Sequence, residues 1–413
     1  MDRISAAQSH SPVGPAAEHA AAHRDKLAWS VARRLAGQIM LDGWPVGARL
    51  GTEADLLAEL GVSREPFREG VRLLELQGIV RMTRGPRGGL LVTAPALEVV
   101  SGLIRGYLEL SDITFREVID ARKAIEAHAV TLAVERLTPA GARDLELAIE
   151  TARAAKFDRS RRSGAYFDVL RTVERVAADH CLAIFDEALH RITIDFGLHE
   201  RLPGDLWSEY SERGLRSLEN LVEAVLAGDA AAGQRAIEAL LSRMDDYVHR
   251  AEGADAGLWT TRSFITGAYL SAGKLLSGTE KAGLRLAYRI TAQVRRQSLE
   301  VGRAIGAEPE LIARYGVSRA VFREAVRMLE FFGVVEVRRG KEGGLVVAQR
   351  DPSGTVGSAL LYLSFAGIDP AGTAALLAQI RASSEHREGN PALELFERVL
   401  EAYSASPARP AAA

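Results

Sequence analysis

Apolar residues recur at helical spacing along most of the chain, interrupted in two places by short β-like runs around glycine-rich turns. LAWSVARRLAGQIM (27–40) predicts a first helix, closed by the turn-forming DGWPVG. EADLLAEL (53–60) predicts a second, with Thr52 as its N-cap and Gly61 supplying the positive φ that often follows a helix. REPFREGVRLLELQG (64–78) predicts a third, capped by Ser63, with Phe67, Val71 and Leu74 on one face. Ile79 to Met82 and Leu90 to Val92 then read as two strands joined by TRGPRGG.

The pattern occurs twice. GVSREPFRE at 61–69 returns as GVSRAVFRE at 316–324, and an offset of 255 aligns 32–92 with 287–347 without a gap. In the second copy Ile305 to Tyr315 replaces the second helix, Ser318 caps the third, and Val334 to Val337 with Leu345 to Val347 flank RRGKEGG. With Ser298 and Glu300 in place of Gly43 and Pro45, its first helix is expected to run straighter into the domain. Helix, helix, turn, helix and hairpin make a winged helix-turn-helix.

Between the copies, 97–252 reads as almost uninterrupted helix, including 115–137, 138–156, 164–192 and 218–248, and predicts an antiparallel bundle of about six or seven helices. The expected fold is mainly α, with two winged helix-turn-helix domains flanking an all-α bundle. The predicted boundaries are a tail at 1–22, a first reading head at 23–95, the bundle at 96–252, a linker at 253–280, a second head at 281–350, shortened helices at 351–404 and a tail at 405–413.

Composition narrows the function. No apolar run approaches the roughly 18 residues of a membrane span, the N-terminus lacks the features of a signal peptide, and a single cysteine, Cys181, excludes an intrachain disulfide. A cytoplasmic protein without a membrane partner is expected, with Cys181 as a small core residue. The net charge of −2 hides an uneven distribution. Residues 23–95 carry about 11 Lys/Arg against 8 Asp/Glu, 281–350 about 14 against 7, and 96–260 about 20 against 29. Basic repeats around an acidic middle suit an anionic polymer at the repeats only.

The third helix of each copy is the candidate reading element. Arg64 and Arg68, and Arg319 and Arg323, are four residues apart and leave the helix on one side, beside the apolar stripe. Placed there, they can meet guanine edges or phosphates, which a helix N-terminus also attracts. Arg84, Arg87 and Gly88, and Arg338, Arg339 and Lys341, stand on the wings, where glycine permits close backbone approach. The plain alternative is a solvated helix face, since Glu69 with Arg72 and Glu324 with Arg327 are spaced as i,i+3 ion pairs.

These residues resemble a known family. EADLLAELGVSREPFREGVRLLELQGIVRMTRGPRGGLLV is similar to the winged helix-turn-helix of GntR-type bacterial transcription regulators, as is the second copy, and VIDARKAIEAHAVTLAVERLT resembles the opening of the FCD effector domain of the FadR-like branch. The resemblance implies a ligand-responsive repressor or activator, a homodimer on a palindromic double-stranded DNA operator. DNA contacts would fall on Ser63, Arg64, Arg68, Ser318, Arg319 and Arg323, with wing tips at Gly85 to Gly89 and Gly340 to Gly344.

The chain also departs from the family. An arginine common after the second-helix glutamate is replaced by Ala54 and Pro309. The family's metal-binding Asp and three His become Gly164, Asp168, Leu218 and Leu240, which cannot enclose a metal, so no metal or other cofactor is expected. His180, His190 and His249 read as surface or core histidines. Arg122 occupies a position resembling the family's carboxylate-binding arginine, or else pairs with Asp120 or Glu126; a small-molecule effector, such as a carboxylate, is the expected second partner. Arg381 and Glu385 match Arg122 and Glu126, and GNPALELFERVL (389–400) resembles a later FCD helix, so a shortened second effector domain is expected to pack on the complete one.

One chain with two heads spans a pseudo-palindrome alone, or a dimer with four heads binds paired sites. The more basic second head is expected to differ in affinity from the first. Competing readings are a degenerate regulator serving as a protein-interaction and heterodimerisation module, and an enzyme, for which GxGxxG, GxxxxGK[ST] and GxSxG in their proper contexts are lacking.

Overall fold

The computed structural model describes residues 26–83, 85, 88–111, 113–156, 158–195, 204–252, 278–338, 344–383 and 389–406. The expected tails and most of the 253–280 linker lie outside these. The chain divides into two compact units, with 1–110, 272–377 and 397–413 in the first and 111–271 and 378–396 in the second.

The first unit opens with α1 (Lys26–Leu41), β1 (Arg49–Gly51), α2 (Glu53–Leu60), α3 (Arg64–Leu76), β2 (Val80–Thr83) and β3 (Gly89–Val92), followed by α4 (Leu97–Leu110). Its later part repeats that order as α11 (Gly278–Arg296), β4 (Ala304–Gly306), α12 (Glu308–Tyr315), α13 (Arg319–Phe331), β5 (Val335–Arg338), β6 (Gly344–Val347) and α14 (Ser353–Phe365). Each half forms a three-stranded antiparallel sheet, β1-β3-β2 and β4-β6-β5. The registers correspond, Val80 facing Val92 and Val335 facing Val347.

Local chemistry explains these elements. Thr52 and Asp55 form a capping box at α2, and Gly61 closes that helix at φ 66°. In the second half Ala307 has no side chain to cap α12, and Pro309 opens the helix instead. Glu75 Oε1 accepts the Met82 N–H at 2.8 Å, and Glu330 Oε1 the Val337 N–H at 3.3 Å, tying α3 and α13 to their hairpins.

Three expectations need correction. The second copy's first helix does not run on: it ends at Arg296, the counterpart of Leu41, and Ser298 takes a left-handed φ of 47° where Gly43 has 76°. The segment after Ile305 is not one helix, because Ala304 to Gly306 pair as a strand before α12 begins. The third strand of each sheet was absent from the sequence reading, being only three residues long.

The α1–α3 contact is close enough to require a missing side chain. A Cβ on Gly70 of α3 would lie 2.7 Å from Val31 Cγ1 and 2.8 Å from the Ala28 carbonyl oxygen. In the second half the glycine has changed sides: Ala325 stands for Gly70, while Gly283 of α11 stands for Ala28 and would meet Glu324 Cβ at 2.8 Å.

The two halves dock within this unit. Arg327 of α13 reaches Glu69 of α3 at 2.8 Å while also holding Glu324 at 2.5 Å. Trp29 stacks on Phe331 with centroids 6.1 Å apart, and Trp44 meets Phe365 at 5.3 Å. Glu109 of α4 accepts the Tyr288 hydroxyl of α11, and Gly106 lies against the Phe332 ring.

The second unit is built on α5 (Phe115–Glu135), α6 (Pro139–Ala154), α7 (Arg159–Ala177), α8 (His180–Asp195), α9 (Gly204–Ala227) and α10 (Ala230–Glu252). The helix expected over 164–192 is two, because Ala178 turns at φ 47° and Asp179 Oδ1 accepts the Leu182 N–H at 3.0 Å. Gly228 (φ 77°) likewise separates α9 from α10. Cys181 is buried. The unit boundaries pass through α15 (Pro370–Ser383) and α16 (Pro391–Ser404). Within the second unit Phe396 packs on Phe185 at 4.6 Å, and Asn390 Nδ2 donates to the Glu117 carbonyl at 2.9 Å.

Gly70→Ala is expected to destabilise the N-terminal half by about 1–3 kcal/mol through overpacking, read as a lower denaturation midpoint. Gly61→Ala, strained at positive φ but unobstructed, serves as the comparison.

Candidate functional site

The candidate reading surface begins at the N-termini of α3 and α13. Ser63 has the extended backbone of an N-cap, but its hydroxyl makes no capping bond, contrary to expectation. Ser318 does cap, accepting the Val321 N–H at 3.3 Å. Arg64, Arg68, Arg319 and Arg323 are all exposed, with side chains 57–78% accessible.

Each pair of arginines surrounds one glutamate. Arg68 holds Glu53 through two bonds of 3.0 and 3.2 Å, with Arg64 at 4.0 Å. Arg319 reaches Glu308 at 2.7 Å, with Arg323 at 3.8 Å. Sequence reading missed Glu53 and Glu308 as site residues, although their matched positions in both copies were the available signal. Exposed pairs of this kind contribute only about 0–1 kcal/mol.

On the first wing the Gly88 N–H donates to the Gly85 carbonyl at 2.8 Å, and its carbonyl accepts Arg49 Nη1 at 3.3 Å. Arg338 pairs with Glu336 at 2.8 Å. Arg84, Arg87, Arg339 and Lys341 lie outside the described residues. The second half also carries a hollow of about 470 Å³ lined by Arg289, Gln293, Arg296, Gln297, Arg314 and Tyr315. The corresponding first-half positions are Arg34, Gln38, Leu41, Asp42, Glu59 and Leu60, so the hollow is basic in one half only.

The second unit encloses a polar cluster. Arg122 of α5 is fully buried, with Nε 2.6 Å from Glu126 Oε1, Nη1 3.2 Å from Thr193 Oγ1, and the Phe167 ring 5.5 Å away. The Glu126 alternative for Arg122 is therefore the one observed. His190 is a core histidine whose Nε2 lies 3.1 Å from Glu126 Oε1 and whose Nδ1 lies 3.3 Å from Glu174 Oε1. Asp186, one helical turn before His190 on α8, is fully buried.

Burial works to raise the Glu126 carboxyl, but Arg122 and His190 overcome it and leave it below its usual value. Burial raises Glu174 well above the usual range, helped by Glu126. Asp186 is raised well above its range too, by burial and then by Glu174 and Glu126. Burial lowers His190, and Arg122 adds to it. The sequence held a sign of this cluster, an Asp–His pair at i,i+4 among the core residues Leu182, Phe185 and Leu189.

The positions where the family resemblance would place metal ligands do not fit one. Leu218 and Leu240 are buried hydrocarbon, Gly164 has no side chain, and Asp168 points out to Arg171 at 3.2 Å. His180 is exposed, and the His249 side chain lies outside the described residues.

Residues 283–344, from α11 to the start of β6, match the model of bacterial regulatory proteins of the gntR family, and 117–243 match the FCD domain. The chain is 30% identical over 228 residues to the uncharacterized HTH-type transcriptional regulator Rv0494 of Mycobacterium tuberculosis (strain ATCC 25618 / H37Rv), covering 53% of this chain and 88% of that protein. The chain belongs to the GntR family. Within the family it is also 25% identical over 231 residues, 54% of this chain and 85% of the other, to a protein whose name assigns it to regulation of the L-lactate dehydrogenase operon of Escherichia coli (strain K12). A solved GntR structure from Streptococcus agalactiae is similar at 16% identity, covering 54% of this chain and 99% of that one with a TM-score of 0.37. This GntR regulator thus carries an FCD effector domain in its second unit. Among the described residues no helix is long and apolar enough to cross a membrane.

Arg122→Met is expected to cost about 3–5 kcal/mol in denaturant unfolding, because Glu126 is left buried without its cation. Replacing Arg122 and Glu126 together with apolar residues should recover much of that loss.

Proposed function

We propose that this GntR regulator carries two winged helix-turn-helix reading heads in one chain, paired so that a single chain occupies both halves of a pseudo-palindromic operator. The observation that carries this reading is the docking of the two halves in the first unit through Arg327 and Glu69, Trp29 and Phe331, and the α4 and α14 segments. Two-fold operators demand two reading helices held in fixed relation, and here the relation is intramolecular.

In each head the arginines of α3 and α13 exchange Glu53 or Glu308 for phosphate or guanine. The basic hollow by α11 and α12 gives the second head an additional attraction for phosphate, so the heads bind with different strength. The Pro309 and Ala54 positions leave each head without the arginine common after the second-helix glutamate, which places more of the contact on the recognition helices.

A carboxylate metabolite is the effector class we favour, in keeping with the lactate-operon relative. Arg122 is committed to Glu126, which argues against it as the anchor. Arg162 suits the role better: it is buried among the rings of Tyr166, Trp207 and Tyr210 at 4.2–4.5 Å, its Nη2 donates to the Tyr210 carbonyl at 3.2 Å, and it has no acidic partner among the described residues.

Gel shifts across a salt series test the reading on an operator selected from random DNA. Replacing Arg64 and Arg68, or Arg319 and Arg323, with alanine is expected in either case to weaken binding and to reduce the slope of log K against log salt by up to about 2. Native mass spectrometry should find one chain per operator. Glu53→Gln and Glu308→Gln should tighten binding. If one double variant binds like the parent, a single head reads DNA; if no salt-dependent binding is found at all, the protein-interaction reading replaces this one.

A further inference from the structure

The polar cluster inside the FCD domain has more acceptors than the chain can satisfy. Glu126 Oε1 takes Arg122 and His190, but Glu126 Oε2 and both oxygens of Asp186 have no hydrogen-bond partner, and Glu174 Oε1 and His190 Nδ1 face only each other at 3.3 Å without forming a hydrogen bond; all are buried. Asp186 is the sharpest case, a carboxylate with no exposed surface and neither oxygen bonded. A buried polar group left unpaired costs on the order of 1–3 kcal/mol, and more when charged, so this cluster calls for a positive partner.

The donor atoms converge. One ligand atom each from Glu126, Asp186 and His190 lie within 4.8 Å of one another, drawn from α5 and from one face of α8. Three carboxylates, Glu126, Glu174 and Asp186, confront one guanidinium, Arg122, and a neutral imidazole. When all three are ionised, the charge balances with two further positive charges. First-row dications bind His nitrogen and carboxylate oxygen at roughly 2.0–2.2 Å, which needs these side chains to close by only about 1 Å.

We propose that Glu126, Asp186 and His190 form a divalent-cation site, with Glu174 as a fourth carboxylate beside it. Mixed imidazole and carboxylate ligation suits Zn²⁺ or Mn²⁺. Arg122 is a positioning residue: it engages Glu126 Oε1 and leaves Oε2 without another partner. The site uses none of Gly164, Asp168, Leu218 and Leu240, so the helical domain holds a metal through a different set of ligands. Its full burial predicts slow exchange, with loading as the chain folds.

The test unfolds the full chain in chelator and refolds it with Zn²⁺ or Mn²⁺, followed by desalting, elemental analysis and thermal melting. The expected result is about one ion per chain and a higher melting temperature than the metal-free refold. Asp186→Asn and His190→Gln should each lower affinity by more than the roughly 10–100-fold typical of losing an outer-shell partner, while His180→Ala at the surface changes nothing. The proposal is overturned if the parent retains no metal after refolding, if both variants retain as much as the parent, or if His180→Ala removes the ion. If Asp186→Asn does not fold, His190→Gln and the parent's own metal content decide. A parent that folds equally well without metal and excludes it shows that protons, not a cation, neutralise the cluster.

Discussion

The pairing of Arg327 with Glu69 and Glu324 is the contact on which the arrangement of the first unit turns. Arg327 and Arg72 are equivalent by sequence, and so are Glu324 and Glu69, yet only Arg327 reaches across to the other half. Burial would ordinarily lower an arginine's pKa, but the two carboxylates reverse that and hold it above its usual value. A guanidinium with two carboxylates has fork geometry that a lysine cannot reproduce. The docked halves orient α3 and α13 together, and any DNA-reading geometry inherits this orientation.

The exposed glutamates at the reading helices work at the opposite end of the energy scale. Glu53 and Glu308 hold their arginines in place while contributing little stability, because water screens them. They hold long, flexible side chains that would otherwise sample many rotamers. Inside the helical domain the same kinds of charge behave differently. Burial there makes each unpaired carboxylate expensive, and it is burial first, with neighbouring carboxylates second, that raises Glu174 and Asp186.

Much of this was legible in the sequence, and what was not has physical causes. The 255-residue offset located six helices of the two halves, because helical periodicity and turn glycines are local signals. The three-residue strands β1 and β4 are too short to carry a period, and their existence depends on pairing with β3 and β6. Ser298 defeated the rule that a missing glycine straightens the chain: with the serine in the left-handed turn, the Leu299 N–H closes on the Val294 carbonyl at 3.0 Å and the Gly302 N–H on the Val347 carbonyl at 2.8 Å. The break at Ala178 carried no proline or glycine, and Asp179, which caps the next helix, was its one local sign. The arginines of α3 and α13 were readable from i,i+4 spacing, but their glutamate partners are 11–15 residues away and became visible only in three dimensions. His190 was legible only as a surface or core histidine, and its convergence with Glu126 and Asp186 required the packing of separate helices.

The exchanged glycines at the α1–α3 and α11–α13 crossings bear on how such a gene can change. Because the two halves share one order of elements, recombination between them would splice the first helix of one half to the third helix of the other. With α1 joined to α13, the Ala325 methyl would stand where a Cβ at Gly70 lies 2.7 Å from Val31 Cγ1 and 2.8 Å from the Ala28 carbonyl oxygen, a clash that neither half contains. Each copy has become a matched set of parts, and a chimera between them inherits a steric fault.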